Sequence, residues 1–278
     1  MVPTLTSMLT ETLAHKLHAG PCFGTFLKLG RPEVADILAL AGFDFVICDM
    51  EHAQMTEVEA RHVIRACAAV GLPVVVRLPE PVQGVVNRLL EAGAVGIQMP
   101  RLRSAAEVRA LHAMLHFPPE GERSVGNANQ LARYGSMPVS EYLAESNRRM
   151  LVIGQFETRQ IDEPCDPMFD HLDVAFIGPT DLSVDFGSPG RADDPLVAER
   201  IALLERSAAR KGCVMGIATK DMNSTRRYLS AGYRFLAVSG DVALLVGAAR
   251  ELVAALHEAR VACAPQATTP SSDTGAPS

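Results

Sequence analysis

The sequence predicts a (β/α)8 barrel, and three observations carry that prediction. Eight short apolar runs recur along the 278-residue chain, near Cys22–Lys28, Phe45–Asp49, Val74–Arg77, Val95–Met99, Leu151–Glu157, Val174–Ile177, Cys213–Ile217 and Phe235–Val238. Segments with apolar residues at three- and four-residue spacing separate most of them, the pattern of amphipathic helices. The runs are near-continuous rather than alternating, which marks strands buried on both faces, as in a parallel sheet. Eight strand–helix units in one chain of this length point to a closed barrel. A doubly wound open sheet is the competing architecture, but no Gly-x-Gly-x-x-Gly turn follows the first run.

In order along the chain, residues up to about Gly20 form a short amphipathic lead-in. The helix after the second strand is read from Val58, His62, Val63, Ala66 and Cys67. The one after the third is read from Val82, Val85, Val86, Leu89 and Leu90. Thr56 with Glu59, and Ser104 with Glu107, have the spacing of a capping box, in which hydroxyl and carboxylate satisfy each other's backbone N–H groups. Gly42, Gly71, Gly93, Gly212 and Gly232 stand where a helix returns to the next strand. About fifty residues separate the fourth and fifth strands, a length that predicts a functional or disordered loop. That insert runs from Phe117 through an Asn-, Arg- and Tyr-bearing stretch to a helix near Val139–Arg149. One barrel domain is expected over 1–263. The remainder, 264–278, is Pro, Ala, Thr, Ser and Gly, which cannot bury enough apolar area to offset ordering and predicts a disordered tail.

Composition narrows the function. Net charge is −6 and no basic stripe is visible, which argues against nucleic acid as a partner. The six cysteines are scattered without a C-x-x-C pair. Three lie in strand-like runs, so reduced, buried thiols are expected rather than disulfides or a zinc cage. No run approaches the roughly 20 apolar residues that cross a bilayer, and no signal peptide is evident. A soluble, cytoplasmic protein is expected.

The polar residues gather at strand C-termini, where barrels of this class carry their chemistry. These ends give Asp49, Glu51 and His52 after the second strand, Arg77 after the third, and Gln98 and Arg101 after the fourth. Gln155 and Glu157 close the fifth, Gly178, Pro179, Thr180 and Asp181 follow the sixth, and Ser239 and Asp241 the eighth. Glu157 and Asp181 are candidate metal ligands, an all-oxygen pair suited to Mg²⁺, Mn²⁺ or Co²⁺. Asp181 could instead cap a turn, and Glu157 could pair with Arg159. His52 is either a surface histidine or a general base, the latter if Asp49 holds one ring nitrogen. Arg77 leaves a buried run and needs an anion, whether a substrate oxygen or Glu51. No lysine is read at a strand end within this constellation, although Lys220 follows the seventh strand, so a Schiff-base mechanism ranks below a metal one.

Phe43 to His52, Val74 to Arg77, Gly154 to Arg159 and Ile177 to Ser183, in that order, resemble the motifs of the HpcH/HpaI aldolases, metal-dependent class II pyruvate aldolases. The likeness runs from about Gly24 to Ala254. It implies a phosphoenolpyruvate/pyruvate-type barrel that cleaves or forms 4-hydroxy-2-oxo acids, giving pyruvate and an aldehyde. By the resemblance, Glu157 and Asp181 hold the metal, while Gln155 and the Gly178-Pro179-Thr180-Asp181 turn bind the 2-oxo acid. Arg77 stabilises the enolate oxygen, and His52 is the base, oriented by Asp49. Glu91 stands where the family commonly has an Asp that raises the basicity of that histidine across a subunit contact, and a homo-oligomer, hexamer or trimer, is implied. Met50 and the stretch Gln98 to Arg101 depart from the family pattern. Arg101, Arg103 and Arg123 could draw an anionic aldehyde or be solvated surface residues. The alternatives are an oxaloacetate decarboxylase or macrophomate synthase-like enolate enzyme, a CoA-thioester lyase, for which no basic nucleotide cradle is seen, and a non-catalytic binder of metal and oxo acid.

Overall fold

The protein, described here by a computed structural model, is traced over residues 12–263; the tail expected over 264–278 lies outside the described residues. A short helix α1 (Leu13–Ala19) leads into β1 (Cys22–Leu27), α2 (Pro32–Leu40), β2 (Phe45–Asp49), α3 (Glu57–Ala69), β3 (Val74–Arg77), α4 (Gln83–Ala92) and β4 (Gly96–Met99). Then come α5 (Ala105–Leu115), α6 (Val139–Arg149), β5 (Leu151–Phe156), β6 (Val174–Ile177), α7 (Pro179–Asp185), α8 (Pro195–Lys211), β7 (Val214–Thr219), α9 (Met222–Ser230), β8 (Phe235–Gly240) and α10 (Asp241–Ala262). The strands form a closed parallel barrel in sequence order. Each falls on its predicted run, with ends moved by a residue or two.

The continuous apolar runs are explained by two layers of burial. One face fills the barrel interior with Phe45, Ile47, Val75, Ile153, Phe176 and Phe235, joined by Leu13 and Leu17 of α1. The other face packs beneath the helices, Val46, Cys48, Val74, Val76 and Ile97 against Val63, Val86, Leu89 and Val108. Phe45 stacks on Phe235 with ring centroids 4.1 Å apart. Gly24 makes this possible, because a Cβ there would lie 2.3 Å from the Phe45 ring. Both expected capping boxes form, Thr56 with Glu59 and Ser104 with Glu107. Gly212 ends α8 in the left-handed region (φ 67°).

Strand register aligns the polar rim. Asp49 of β2 lies opposite Arg77 of β3, and Arg77 opposite Gln98 of β4. Three polar side chains therefore stand in one row at the C-terminal ends of the strands.

The long insert is built around its own small core of Phe117, Ala132, Met137 and Tyr142. Asn129 ties it together, donating to the Gly126 carbonyl and the Tyr142 hydroxyl and accepting from the Ala132 N–H. Arg123 belongs to this core and not to a substrate surface. It is buried, its guanidinium lies 4.5 Å from the centre of the Phe117 ring, and it donates to Ser146. Its neighbours are the C-terminal ends of α5 and α6, at the end of the barrel where strands begin. Arg123 is thus no candidate for drawing an anionic aldehyde.

Among the described residues, those up to Val242 form one compact unit and those from Ala243 a second. The second is helical through Ala262 and leaves Leu244, Leu245, Leu252, Val253 and Leu256 exposed. Among the described residues no helix is long and apolar enough to cross a membrane.

Candidate active site

The C-terminal rim is organised by Asp49, whose side chain is fully buried. Arg77 reaches it with two hydrogen bonds, Nε to Oδ1 at 3.0 Å and Nη2 to Oδ2 at 2.7 Å. The backbone N–H groups of Glu51 and His52 donate to Oδ1 at 3.1 and 3.2 Å, so the chain after β2 folds back over the carboxylate as an Asx turn. Burial alone pushes the Asp49 carboxyl up. The hydrogen bonds and charge of Arg77, the His52 N–H and Lys28 outweigh it and hold the group below its ordinary value.

His52 differs from the expectation. Asp49 meets its backbone and not its ring. The ring lies 3.7 Å from Glu51 Oε2 and is more than half exposed, so Glu51 is the carboxylate beside the imidazole. The physical reason is that Arg77 and two N–H groups already saturate Asp49. Glu51 Oε2 is also 3.3 Å from Arg77 Nη1, and it is buried without a well-formed hydrogen bond.

Across the rim, Glu157 is buried just beyond β5. Its Oε2 accepts from Gln155 Nε2 at 2.5 Å and its Oε1 from the Arg101 N–H at 3.1 Å. Gln155 in turn accepts from Gln98 Nε2 at 2.5 Å, which leaves Gln98 Oε1 buried without a partner. Burial, with repulsion from Asp181 and Glu51, pushes the Glu157 carboxyl up to about 7 despite the Gln155 hydrogen bond and the Arg77 charge. Gly178 makes room for this carboxylate, since a Cβ at 178 would come within 2.7 Å of Oε2. Asp181 occupies the first turn of the short helix α7 and is exposed, with Pro179 and Thr180 just before it. Arg159 does not neutralise Glu157; its N–H instead donates to Asp185.

Arg101 contributes through its main chain, held at φ 57°, where side-chain-bearing residues are uncommon. Arg103 is exposed, and its N–H joins the α5 cap at Glu107. Asp241 proves structural. Its Oδ2 accepts the Lys28 and Leu29 N–H groups, both at 2.9 Å, and so ties the end of β1 to the end of β8. Glu91 is not brought to His52 within the chain. It lies at the C-terminal end of α4, at the opposite end of the barrel, where its carboxylate abuts Gly126.

The reading of the sequence missed Lys28. Its ammonium is 3.2 Å from Asp49 Oδ2, so a lysine does stand within the constellation. The signal was present, a charged residue at the tip of the first apolar run, but counting it as part of the strand hid it.

This arrangement puts two buried carboxylates, a second-row pair of glutamines and two cations around one rim, the furniture of carbonyl chemistry on an anionic substrate. The HpcH/HpaI aldolase/citrate lyase family model matches residues 23–248. The hydroxypyruvate/pyruvate aldolase of Paraburkholderia phytofirmans is 32% identical over 263 residues, covering 91% of this chain and 99% of its own. The 4-hydroxy-2-oxo-heptane-1,7-dioate aldolase of Salmonella arizonae is 35% identical over 246 residues, 86% of this chain and 91% of its own. The crystal structure of an HpcH/HpaI aldolase from Desulfitobacterium hafniense superposes with a TM-score of 0.83 at 33% identity, covering 89% of this chain and 97% of the other. The chain therefore belongs to the HpcH/HpaI aldolase/citrate lyase family.

Proposed function

We propose that this protein is a divalent-metal-dependent aldolase that cleaves or forms 4-hydroxy-2-oxo acids, yielding pyruvate and an aldehyde. The observation that carries the reading is Glu157, a buried carboxylate pushed up to about 7 by burial and by the nearby charges of Asp181 and Glu51. A cation between these carboxylates would offset that repulsion. Among the described residues no set of three or more His, Cys, Asp or Glu is arranged around a metal. A two-carboxylate, all-oxygen donor pair suits Mg²⁺, Mn²⁺ or Co²⁺, ions that take their remaining ligands from water and substrate. Glu157 and Asp181 would hold it. When bound, the cation supplies Lewis-acid stabilisation of the charge developing on the 2-oxo oxygen, worth several kcal/mol.

The chain's own groups have separate tasks. Gln155, fixed between Gln98 and Glu157, orients the 2-oxo acid, together with the free N–H groups of Thr180 and Asp181 at the start of α7. Arg77 is clamped by Asp49 and lies 4.9 Å from the centre of the Phe26 ring, which leaves its charge to steady the enolate oxygen. In the cleavage direction His52 takes the proton from the 4-hydroxyl as the C3–C4 bond breaks, with Glu51 Oε2 3.7 Å from the ring. A positioned base of this kind contributes roughly 10²- to 10⁴-fold.

A homo-oligomer is part of this proposal. The exposed leucines and valines of α10 support it, since apolar side chains at helical spacing favour burial against a partner. In such an assembly Glu91, which lies away from His52 within one chain, would approach the imidazole of another copy.

The test is pyruvate release from 4-hydroxy-2-oxo acids and from oxaloacetate by EDTA-stripped protein, with and without Mg²⁺, Mn²⁺ or Co²⁺. Metal-restored cleavage of the hydroxy acids, lost in Glu157→Ala and Asp181→Ala, supports the aldolase. Turnover of oxaloacetate alone would replace it with a decarboxylase.

A further inference from the structure

Lys28 is a rim cation that the proposed function leaves without a task. It follows β1 directly and is held at both ends. Its backbone N–H is pinned by Asp241 Oδ2 at 2.9 Å, and its ammonium lies 3.2 Å from Asp49 Oδ2. Its Nζ is 5.7 Å from the centre of the Phe26 ring, the ring against which the Arg77 guanidinium lies. The side chain keeps about a third of its surface exposed while Asp49 keeps none. Lys28, Asp49 and Arg77 thus occupy the ends of three successive strands, with one buried carboxylate between two cations.

The charge arithmetic gives the arrangement a purpose. Arg77 is contacted by two carboxylates, Asp49 through Nε and Nη2 and Glu51 through Nη1. Without a second cation, both anions would draw on the guanidinium that must serve the substrate. Lys28 takes up part of the Asp49 charge on the solvent side. Asp49 then holds Arg77 as a geometric clamp while its charge is shared with another group.

We propose that Lys28 is a positioning residue for the reaction. Acting through Asp49, it fixes the Arg77 guanidinium and leaves its charge available to the 2-oxo oxygen of the substrate. The inference rests on the aldolase reading for the identity of that oxygen, but not for the clamp itself.

Three readouts on Lys28→Met and Lys28→Arg test it. The first is exchange of pyruvate methyl protons for deuterium in D2O with metal present, in which a C3–H bond breaks and a solvent deuteron replaces the proton, no aldehyde being involved. The second is kcat and KM for cleavage. The third is the side-chain spectrum of [15N]arginine-labelled protein, the Arg77 Nε–H signal being identified by its absence in Arg77→Lys. In Lys28→Met, exchange and kcat should fall together by roughly tenfold to a hundredfold, the scale of a displaced catalytic group. KM for the 2-oxo acid should move much less, and the Arg77 signal should shift or broaden. Lys28→Arg should restore all three to within about threefold, because one point contact needs charge rather than a particular head group. The unfolding midpoint should barely move, because a partly exposed ion pair adds little to stability.

An unchanged Arg77 signal in Lys28→Met overturns the proposal, and that holds even if no substrate is ever turned over. Normal pyruvate exchange with slower cleavage of carboxylate-bearing substrates alone also overturns it, and assigns Lys28 to the aldehyde. Borohydride treatment of wild-type protein with pyruvate separates the two readings. A reduced pyruvyl adduct on Lys28, formed by loss of water to an imine and hydride addition, would overturn the clamp and the metal-dependent aldolase together.

Discussion

Arg77 meets Asp49 through two parallel hydrogen bonds of 3.0 and 2.7 Å, and both side chains are buried. The register of β2 and β3 places the two residues opposite each other, so the pair follows from strand alignment and needs no loop to form. Removing one member of a buried pair strands the other's charge and typically costs 3–5 kcal/mol. Asp49→Ala should therefore lose about 3 kcal/mol of stability, measured by urea unfolding. The pH dependence has a definite sign. The folded carboxyl is held below its ordinary value, near 3.9 in the unfolded chain. Its contribution is complete above that value and is lost as pH falls through the lower folded one. Asp49→Ala should remove this acid-side loss; an unfolding curve as acid-sensitive as wild type below about pH 4 would contradict the clamp.

Gly178 offers a sharper test of the site than any ligand substitution. A methyl group there would stand 2.7 Å from Glu157 Oε2 and 2.9 Å from its Cβ, and Gly178 has an ordinary negative φ. The backbone tolerates alanine, but the carboxylate does not. Gly178→Ala should fold with a near-normal circular dichroism spectrum while losing roughly tenfold or more of metal-dependent turnover, given the sensitivity of such sites to small displacements. Full activity would mean that the observed position of Glu157 is not the working one.

The barrel was legible because each strand is buried on two faces and each helix on one, and that difference in burial is written directly into apolar spacing. Rim residues on strands were legible for the same reason: Asp49, Arg77, Gln98, Gln155 and Glu157 interrupt apolar runs at their ends. What failed was pairing. Asp49 and His52 are three apart in sequence, which invites a dyad, yet Arg77 arrives from 28 residues away and takes the carboxylate. Lys28 reaches Asp49 from the end of the neighbouring strand, a contact set by the pairing of β1 with β2. Arg123 looked like a surface cation because its partners Phe117 and Ser146 come together only when the insert folds. Spacing reports which face a residue occupies, but not which neighbour reaches it first.

A histidine group away from the rim predicts a separate pH effect. His112 stacks on His116, with ring centroids 4.0 Å apart, and lies 4.9 Å from His171. Burial, reinforced by repulsion from those two rings, pushes the His112 imidazole down to about 4, from an ordinary value near 6.5. Between these values the unfolded chain binds the proton and the folded chain does not. Stability should accordingly fall as pH drops from about 6.5 to about 4. His112→Gln should flatten that portion of the curve. Parallel urea midpoints for both proteins across the window would rule out His112 as the source.

The metal assignment can be separated from the base assignment by stability alone. A ligand that binds only the folded chain stabilises it by about 2.7 kcal/mol at a hundredfold excess over its Kd. Adding Mn²⁺ to EDTA-stripped protein should therefore raise the unfolding midpoint, and Asp181→Ala or Glu157→Gln should abolish that rise. Both Glu157 oxygens accept from N–H donors, the Gln155 amide and the Arg101 main chain, so its glutamine variant keeps the volume but gives up one of these hydrogen bonds together with the charge. His52→Ala should retain the full Mn²⁺-induced shift, because the ring neighbours Glu51 and is more than half exposed. It should still lose roughly 10²-fold or more in cleavage, as expected for a positioned base. A His52→Ala protein that no longer responds to Mn²⁺ would place the imidazole among the metal ligands and remove it as the base.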